Sequence, residues 1–396
     1  MTVTLRAARR ADLPAIYDLL ELCFPEAQRA LFVAQVEHDS TFRFRHARVA
    51  EVDGRVAGYV RMFARTMLVR GVPVAAGGIG SVATHPEARH GGIATALLGD
   101  AIAAMRGDGV LLSFLFTGIT GFYERLGYRI VREPWIEVEA AEAAREAQAS
   151  LYGVRRMRDG DVPRLLAIYR QAAAGSTGAI ARTQRTWRDG TSWLGERDGD
   201  ALVAERNGVP VAYLRSRCRT YGHQILEAEL LPNHDEALAS LLAAVGERAA
   251  AHGERLTALV PDGHLLGVTM RALTSATVTT DVPYPMMLRV VSLDGLLRAL
   301  LPYFRGRAAG HPGPEVRLGL SARGGEAAVL RVVSRSAGVE RGGADVELGE
   351  RATLDGLIGQ RRVGRLARPR PDAALARRID ALLPEAALRF WNTDRV

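Results

Sequence analysis

GGIGSVATHPEARHGGIATALLGDAIAAMRGDGVLLSFLFTGITGFYERLGY, residues Gly77 to Tyr128, decides how the rest of the chain is read. Ile79 to Thr84 is an apolar strand pattern ended by Pro86. Arg89-His90-Gly91-Gly92 then makes a short loop ahead of an amphipathic helix pattern from Ile93 to Met105. Glycines at 91 and 92 let the main chain turn its N–H groups outward, and the helix brings the positive end of its dipole to the same point. A diphosphate fits such a loop. The spacing Arg89-x-x-Gly92-x-Ala94 is neither the dinucleotide fingerprint nor the Walker sequence, which argues against hydride transfer and nucleotide hydrolysis.

The run V-A-T-H-P-E-A-R-H-G-G-I-A-T-A-L-L, Val82 to Leu98, resembles motif A of the GNAT superfamily of acetyl-CoA-dependent N-acetyltransferases, whose loop reads Gln/Arg-x-x-Gly-x-Gly/Ala. About thirty residues on, Gly121-Phe122-Tyr123-Glu124-Arg125-Leu126-Gly127-Tyr128 resembles the F-Y-x-x-x-G-[FY] segment that closes the same fold. The two signals stand in the family's order.

Upstream, Val3 to Arg6 alternates as a short strand, and Arg9 to Pro14 supplies turn, cap and first helical turn before Ala15 to Cys23. A second helix pattern spans Ala27 to His38. Arg48 to Glu51, Asp53-Gly54 and Arg55 to Phe63 read as a hairpin. Near residue 150 the pattern starts again: Arg6, Asp12, Pro14 and Ile16 are echoed at the same offsets by Arg155, Asp161, Pro163 and Leu165. A helix pattern (Pro163 to Ala174), strand patterns Ala201 to Glu205 and Val209 to Arg215 around Asn207-Gly208, a strand (Ile225 to Leu230) and a helix (Asp235 to Ala251) follow. Pro232-Asn233-His234 stands where the first copy has its anion loop, so the second copy lacks one.

Val282-Pro283-Tyr284-Pro285 marks a boundary. Beyond it come a helix (Ser292 to Leu301), a turn (Pro312-Gly313-Pro314), strand patterns Glu315 to Leu320, Ala327 to Val333 and Ala344 to Leu348, and helix patterns Leu354 to Gly359 and Pro371 to Leu383. Asp345 to Gly359 resembles the end of a sterol carrier protein domain.

Together these segments resemble, along the whole chain, the Eis (enhanced intracellular survival) family of acetyltransferases. The resemblance implies an α/β (α+β) architecture: a catalytic GNAT domain at 1–148, a degenerate GNAT-like domain at 149–285, and a sterol-carrier-like domain at 286–396 ending in a functional C-terminus. It also implies acetyl-CoA as co-substrate, direct transfer to a primary amine of a small molecule or a peptide lysine, and a homo-oligomer, typically a hexamer.

Carried onto this sequence, the resemblance lays the pantetheine arm along Val82, Ala83 and Thr84. It gives the diphosphate to the main chain of His90, Gly91, Gly92, Ile93, Ala94 and Thr95, with Arg89 as flanking charge. Gly118 and Ile119 join the cofactor-contacting set at positions where Eis relatives often carry a Ser-Glu pair. Tyr123 matches the family's general acid; a phenol with a reference pKa of ~10 keeps its proton at neutral pH. In Eis-type enzymes the base is the carboxylate of the last residue, delivered into the first domain by the third, which here is Val396. Burial would raise that group from ~3.5 toward a useful value. Glu124 and Asp394 are the other candidates for the base. His85 and His90 have no second ligand at a productive spacing, and no metal is expected.

All 52 basic residues are arginine, spread along a chain of net charge +8, which reads as a solvated exterior rather than a nucleic-acid surface. Two distant cysteines, Cys23 and Cys218, exclude a disulfide framework. No signal peptide or membrane-spanning run is read, so the expected location is the cytoplasm, with no membrane partner. The alternative function is a non-catalytic lipid-binding protein that uses the GNAT folds as scaffold.

Overall fold

A computed structural model describes residues 2–27, 29–145, 151–193, 201–219, 222–261, 263–311 and 313–395. They form two compact units, one of residues up to 131 with 286–386, the other of 132–285 with 387–395.

The first unit opens with β1 (Val3–Ala7), α1 (Leu13–Cys23), α2 (Arg29–His38), β2 (Ala47–Val52), β3 (Arg55–Val69) and β4 (Val72–Thr84). It continues through α3 (Ile93–Gly107), β5 (Leu112–Phe116), α4 (Thr120–Glu124) and β6 (Arg129–Ile130). Pro14 starts α1, whose buried Ile16, Leu19 and Leu20 recur at helical spacing. With Phe32 they cover one face of the sheet over Ala47, Val49, Tyr59 and Ala83. On the other face α3 buries Ile93, Leu97, Leu98, Ala101, Ile102 and Met105 against Val60, Met62, Ile79 and Leu115. Strands β3 and β4 run well beyond the segments expected from sequence and meet at an Arg70-Gly71 turn, both residues at positive φ.

The second unit contains β7 (Trp135–Glu139), α5 (Ala140–Ala144), β8 (Gly153–Arg156), α6 (Val162–Ala173), α7 (Gln184–Trp193), β9 (Ala201–Arg206), β10 (Val209–Arg219) and β11 (Gly222–Leu230). After these come α8 (Asp235–Ala250), β12 (Arg255–Leu259), α9 (Leu265–Ala272) and β13 (Thr277–Thr279). Its sheet runs β13-β7-β12-β11-β10-β9-β8. The repeat seen in sequence is a repeated ion triad: Arg6 binds Asp12 and Glu51 in one sheet, and Arg155 binds Asp161 and Glu205 in the other.

The chain then adds β14 (Met286–Val290) to the first sheet, whose order is β1-β2-β3-β4-β5-β14-β6. The expected boundaries at 148 and 285 therefore do not follow the sheets. The strand before 148, β7, pairs with β12 and β13, and the strand after 285, β14, pairs with β5 and β6. Both are short; β14 is buried along its whole length and β7 at Ile136 and Val138, and each is stable only where two neighbours satisfy its ladder. Helices α10 (Leu293–Ala299) and α11 (Leu301–Gly310) and strands β15 (Val316–Ala322), β16 (Glu326–Val333), β17 (Ser336–Glu340) and β18 (Val346–Leu348) follow. Helices α12 (Glu350–Ile358) and α13 (Ala373–Leu382) complete the first unit. The strands form a separate sheet, β17-β16-β15-β18. Arg70, buried in the β3–β4 turn, caps α12 by donating to the carbonyls of Gly356 and Leu357 at 2.5 and 3.0 Å.

Residues 387–395 pack within the second unit. Arg389 N donates to Thr177 O at 2.7 Å, while its guanidinium and the Trp391 indole N–H bind Glu229 at 2.7 and 2.8 Å. Asp394 is buried in a two-pronged pair with Arg182, at 2.8 and 2.6 Å, which removes it from the candidates for a base in the first unit. Arg182 also binds Glu227, and Thr393 bonds to both. A buried ion cluster of this kind holds its geometry because removing one partner strands the others, at about 3–5 kcal/mol. Val396 lies outside the described residues.

Candidate active site

The site starts from a defect in β4. Arg61 pairs with Gly80, but Tyr59 pairs with Ala83, so Ser81 and Val82 stand opposite one residue of β3, and Ser81 takes φ +51°. Such a bulge bends the strand that carries it. The parallel pairing of β4 with β5 covers Ala76 to Ile79 against Leu112 to Leu115 and stops there. From Gly80 to Thr84 the β5 side of β4 has no ladder partner among the described residues. An extended ligand with amide groups can complete that edge as an added strand would. Val82 packs toward α3 and Ala83 toward α1, so their side chains diverge and only their main chain is shared with the groove.

Beyond Thr84 a single turn of tight helix, Pro86–Ala88, leads into the loop. His85 caps this turn, its Nδ1 accepting from Glu87 N at 3.4 Å. Loop residues His90 and Gly92 take φ +65° and +76°, either side of Gly91. Backbone turned this way presents successive N–H groups to one concavity. A Cβ at Gly92 would meet nothing within 4 Å, so glycine serves the positive φ there and not a close contact. The first main-chain bond of α3 is Ala96 N to Gly92 O, the cap has no side-chain acceptor, and the first turn has no acidic residue. The amides of Ile93, Ala94 and Thr95 are thus left for an anion, at the positive end of a helix of 15 residues.

These groups line a cavity of about 330 Å³. Of the residues expected from sequence, the cavity brings together Thr84, Arg89, His90, Gly92, Ile93, Ala94 and Thr95. It adds Phe122 and Arg125, which the sequence reading left out although they flank Tyr123 in the same segment. Arg89 folds back, its Nε donating to Thr84 O at 3.3 Å. Gly118 and Ile119 do not line the cavity: Thr117 Oγ1 accepts from Ile119 N at 3.1 Å, a local turn that leaves the Ile119 side chain 65% exposed. No group of His, Cys, Asp and Glu among the described residues is arranged to hold a metal ion.

The second unit keeps part of this plan. Strand β11 pairs with β12 only over His223 to Ile225, and Asn233 has φ +66° ahead of α8. The first turn of α8, however, carries Asp235 and Glu236, which occupy the positive helix end with carboxylates.

Tyr123 is 6% exposed and packs edge-on against Phe122 and Tyr128, with ring centroids 5.0 and 6.0 Å away. The two tyrosines differ in what their hydroxyls do. Tyr128 is tied to Ser113 Oγ at 2.7 Å, and that hydroxyl donates to Gly77 O at 2.9 Å, a closed structural chain. The Tyr123 hydroxyl makes no hydrogen bond among the described residues. Glu124 is exposed on the outer side of the same helix.

Burial, and then the neighbouring Tyr128, push the Tyr123 phenol up to about 12. Tyr59 and Tyr128 are likewise pushed up to about 12, chiefly by desolvation. Below pH ~10 all three are protonated in folded and unfolded chains alike, and their burial stabilises the fold in full. Between pH ~10 and ~12 the unfolded chain sheds protons that the folded unit retains, so stability falls as pH rises, by roughly 2–3 kcal/mol for each tyrosine. Urea unfolding at pH 9 and pH 11.5, with tyrosinate absorbance, measures this. Midpoints that do not move, with all tyrosines titrating near 10, would contradict it.

Residues 4–131 match a family model described as an acetyltransferase (GNAT) domain. The search of curated proteins returns no match. Among solved structures, a GCN5-related N-acetyltransferase from Anabaena variabilis ATCC 29413 aligns over 100% of both chains with 18% identity and a TM-score of 0.76. A probable N-acyltransferase from Enterococcus faecalis V583 aligns over 98% of this chain and 99% of its own, with 17% identity and a TM-score of 0.76. Eis1 from Mycobacterium abscessus aligns over 100% of both chains with 16% identity and a TM-score of 0.70. At these identities the likeness is one of fold, and it extends over the whole chain. The bulged strand, the open anion loop and the matched segment agree: residues 4–131 are a GNAT acetyltransferase domain, and the protein that carries it is an acyltransferase.

Proposed function

We propose that the protein transfers an acetyl group from acetyl-CoA directly to a primary amine of a small molecule or a peptide lysine. One arrangement carries the reading: an uncapped helix start lies beside a strand whose outer main chain has lost its neighbour. The amides from His90 to Thr95 would hold the diphosphate, with Arg89 and Arg125 as flanking charge. The main chain of Ser81 to Thr84 would align the pantetheine amides, so that the thioester lies at the bulge.

The amine nitrogen attacks the thioester carbon; a C–N bond forms and the C–S bond breaks. Tyr123 would face the departing sulfur as a hydrogen-bond donor. Full transfer of a proton from a phenol near 12 to a thiolate of reference pKa ~8.5 is uphill by roughly 5 kcal/mol, so Tyr123 acts mainly by stabilising the thiolate charge. The ammonium proton needs a base, and the Val396 carboxylate is the group we assign. Deleting Val396 is expected to abolish turnover while leaving acetyl-CoA affinity unchanged, as read by thiol release and by calorimetry. Full turnover in the truncated chain would move the base elsewhere.

The second unit is read as a GNAT copy that has lost its anion loop, residues 293–386 as a sterol-carrier-like lobe, and the assembly as a homo-oligomer, a hexamer by resemblance to Eis. Thiol release from acetyl-CoA across polyamines, aminoglycosides and lysine peptides tests the function. Because Gly118 and Ile119 bring no carboxylate, monoamines are expected to outperform polycations. Silence across the panel, with no acetyl-CoA binding, rejects the assignment.

A further inference from the structure

We propose that the first unit holds a halide-sized inorganic anion, chloride in ordinary salt, in a small pocket behind α4. The pocket is lined by Arg129, Arg289 and Arg323 together with Gly127 and Glu350. The three arginines come from separate stretches, β6, β14 and the β15–β16 turn. All three reach the negative end of the short helix that bears Tyr123. Arg129 Nη1 donates to the carbonyls of Glu124 and Tyr128 at 3.4 and 3.3 Å, Arg289 Nη1 to Leu126 O, and Arg323 Nη2 to Arg125 O at 3.1 Å.

Carbonyl dipoles alone do not balance this much charge. Arg106 adds a fourth guanidinium nearby, and its partner Glu326 is already committed to it and to Leu293 N. Only Glu350 among the lining residues is acidic. Arg289 is 9% exposed, and its Nε has no partner among the described residues. Desolvation, opposed by Tyr128 and reinforced by Arg106 and Arg323, lowers its pKa. An unmet charged donor in such a place is costly, and a counter-ion removes the cost.

The size of the space selects the ion. The cavity has about 10 Å³, room for the centre of a single water-sized group. A tetrahedral oxyanion is larger than that space. Water could satisfy the free N–H but would leave the charge uncompensated; a monoatomic anion does both.

The test compares thermal unfolding of the full chain in sodium chloride and sodium gluconate at fixed ionic strength, together with anomalous diffraction from crystals grown in bromide. Wild type is expected to gain roughly 2–3 °C in midpoint for each tenfold rise in chloride above the dissociation constant. Arg289→Gln is expected to lose that response. If Arg289→Gln fails to fold, Arg323→Gln, altered at an exposed side chain, is expected to blunt it. A bromide peak among the three guanidinium groups supports the site. Superimposable melting in the two salts, a chloride response undiminished in every variant that folds, or bromide peaks elsewhere with none in this pocket would overturn it.

Discussion

Replacing Tyr123 with phenylalanine is expected to lower kcat by about 10²–10³-fold while changing acetyl-CoA affinity by less than about twofold. The substitution removes one oxygen from a side chain that is otherwise held by packing. The ring contacts to Phe122 and Tyr128 remain, and no hydrogen bond among the described residues is broken, so the fold has little reason to respond. What disappears is a donor with no other partner among the described residues, the one proposed to meet the leaving sulfur. An interaction made mainly with charge that develops in the transition state appears in kcat rather than in binding. The same change at Tyr128 should behave in the opposite way. Its hydroxyl is joined to Ser113, so Tyr128→Phe should cost stability, about 1 kcal/mol, and leave kcat within a small factor of wild type. Comparable kcat losses in the two variants would deny Tyr123 a special role.

Ala94→Glu is expected to weaken acetyl-CoA binding by roughly 30–150-fold while leaving thermal stability equal or slightly higher. The substitution writes into α3 what α8 already has: Ala94 occupies the second helical position, where Glu236 stands in the second unit. A carboxylate there is favourable to the empty helix, by roughly 0.3–1 kcal/mol, because it meets the orphan amides and the positive dipole end. The same carboxylate competes with and repels a diphosphate. Affinity and stability therefore move in opposite directions, an outcome that a general loss of structure cannot mimic. Calorimetry with acetyl-CoA beside a melting curve reads both. Unchanged affinity would mean that the α3 start does not hold the co-substrate.

Much of the site was legible in the sequence because it is local. Arg89 to Thr95 is one continuous loop and helix start, and the positive φ at Gly92 follows from residue type. The echo of Arg6 and Asp12 by Arg155 and Asp161 was legible too, although the third members, Glu51 and Glu205, come from strands far along the chain. Illegible features depend on distant partners. Gly77-Gly78 and Pro73 look like breaks in a strand, yet β4 runs through both, because it is paired with β3 along its length. Nothing in Met286 to Val290 says that β14 joins the first sheet rather than the sheet of β15, since a short buried strand carries no address. Residues 387–395 read as a tail with two aromatics. Their burial depends on Arg182, Glu227 and Glu229, the last 160 residues away from Arg389. The bulge at Ser81, which opens the groove, left no mark in the residue types around it.

Hydrogen exchange of the full chain with and without CoA measures the central claim most directly. Slowed exchange is expected at the amides of residues 90–95 and at the open edge of β4 between Ser81 and Thr84, with little change at the start of α8. Protection confined to the second unit, or absent from both segments of the first, would contradict it.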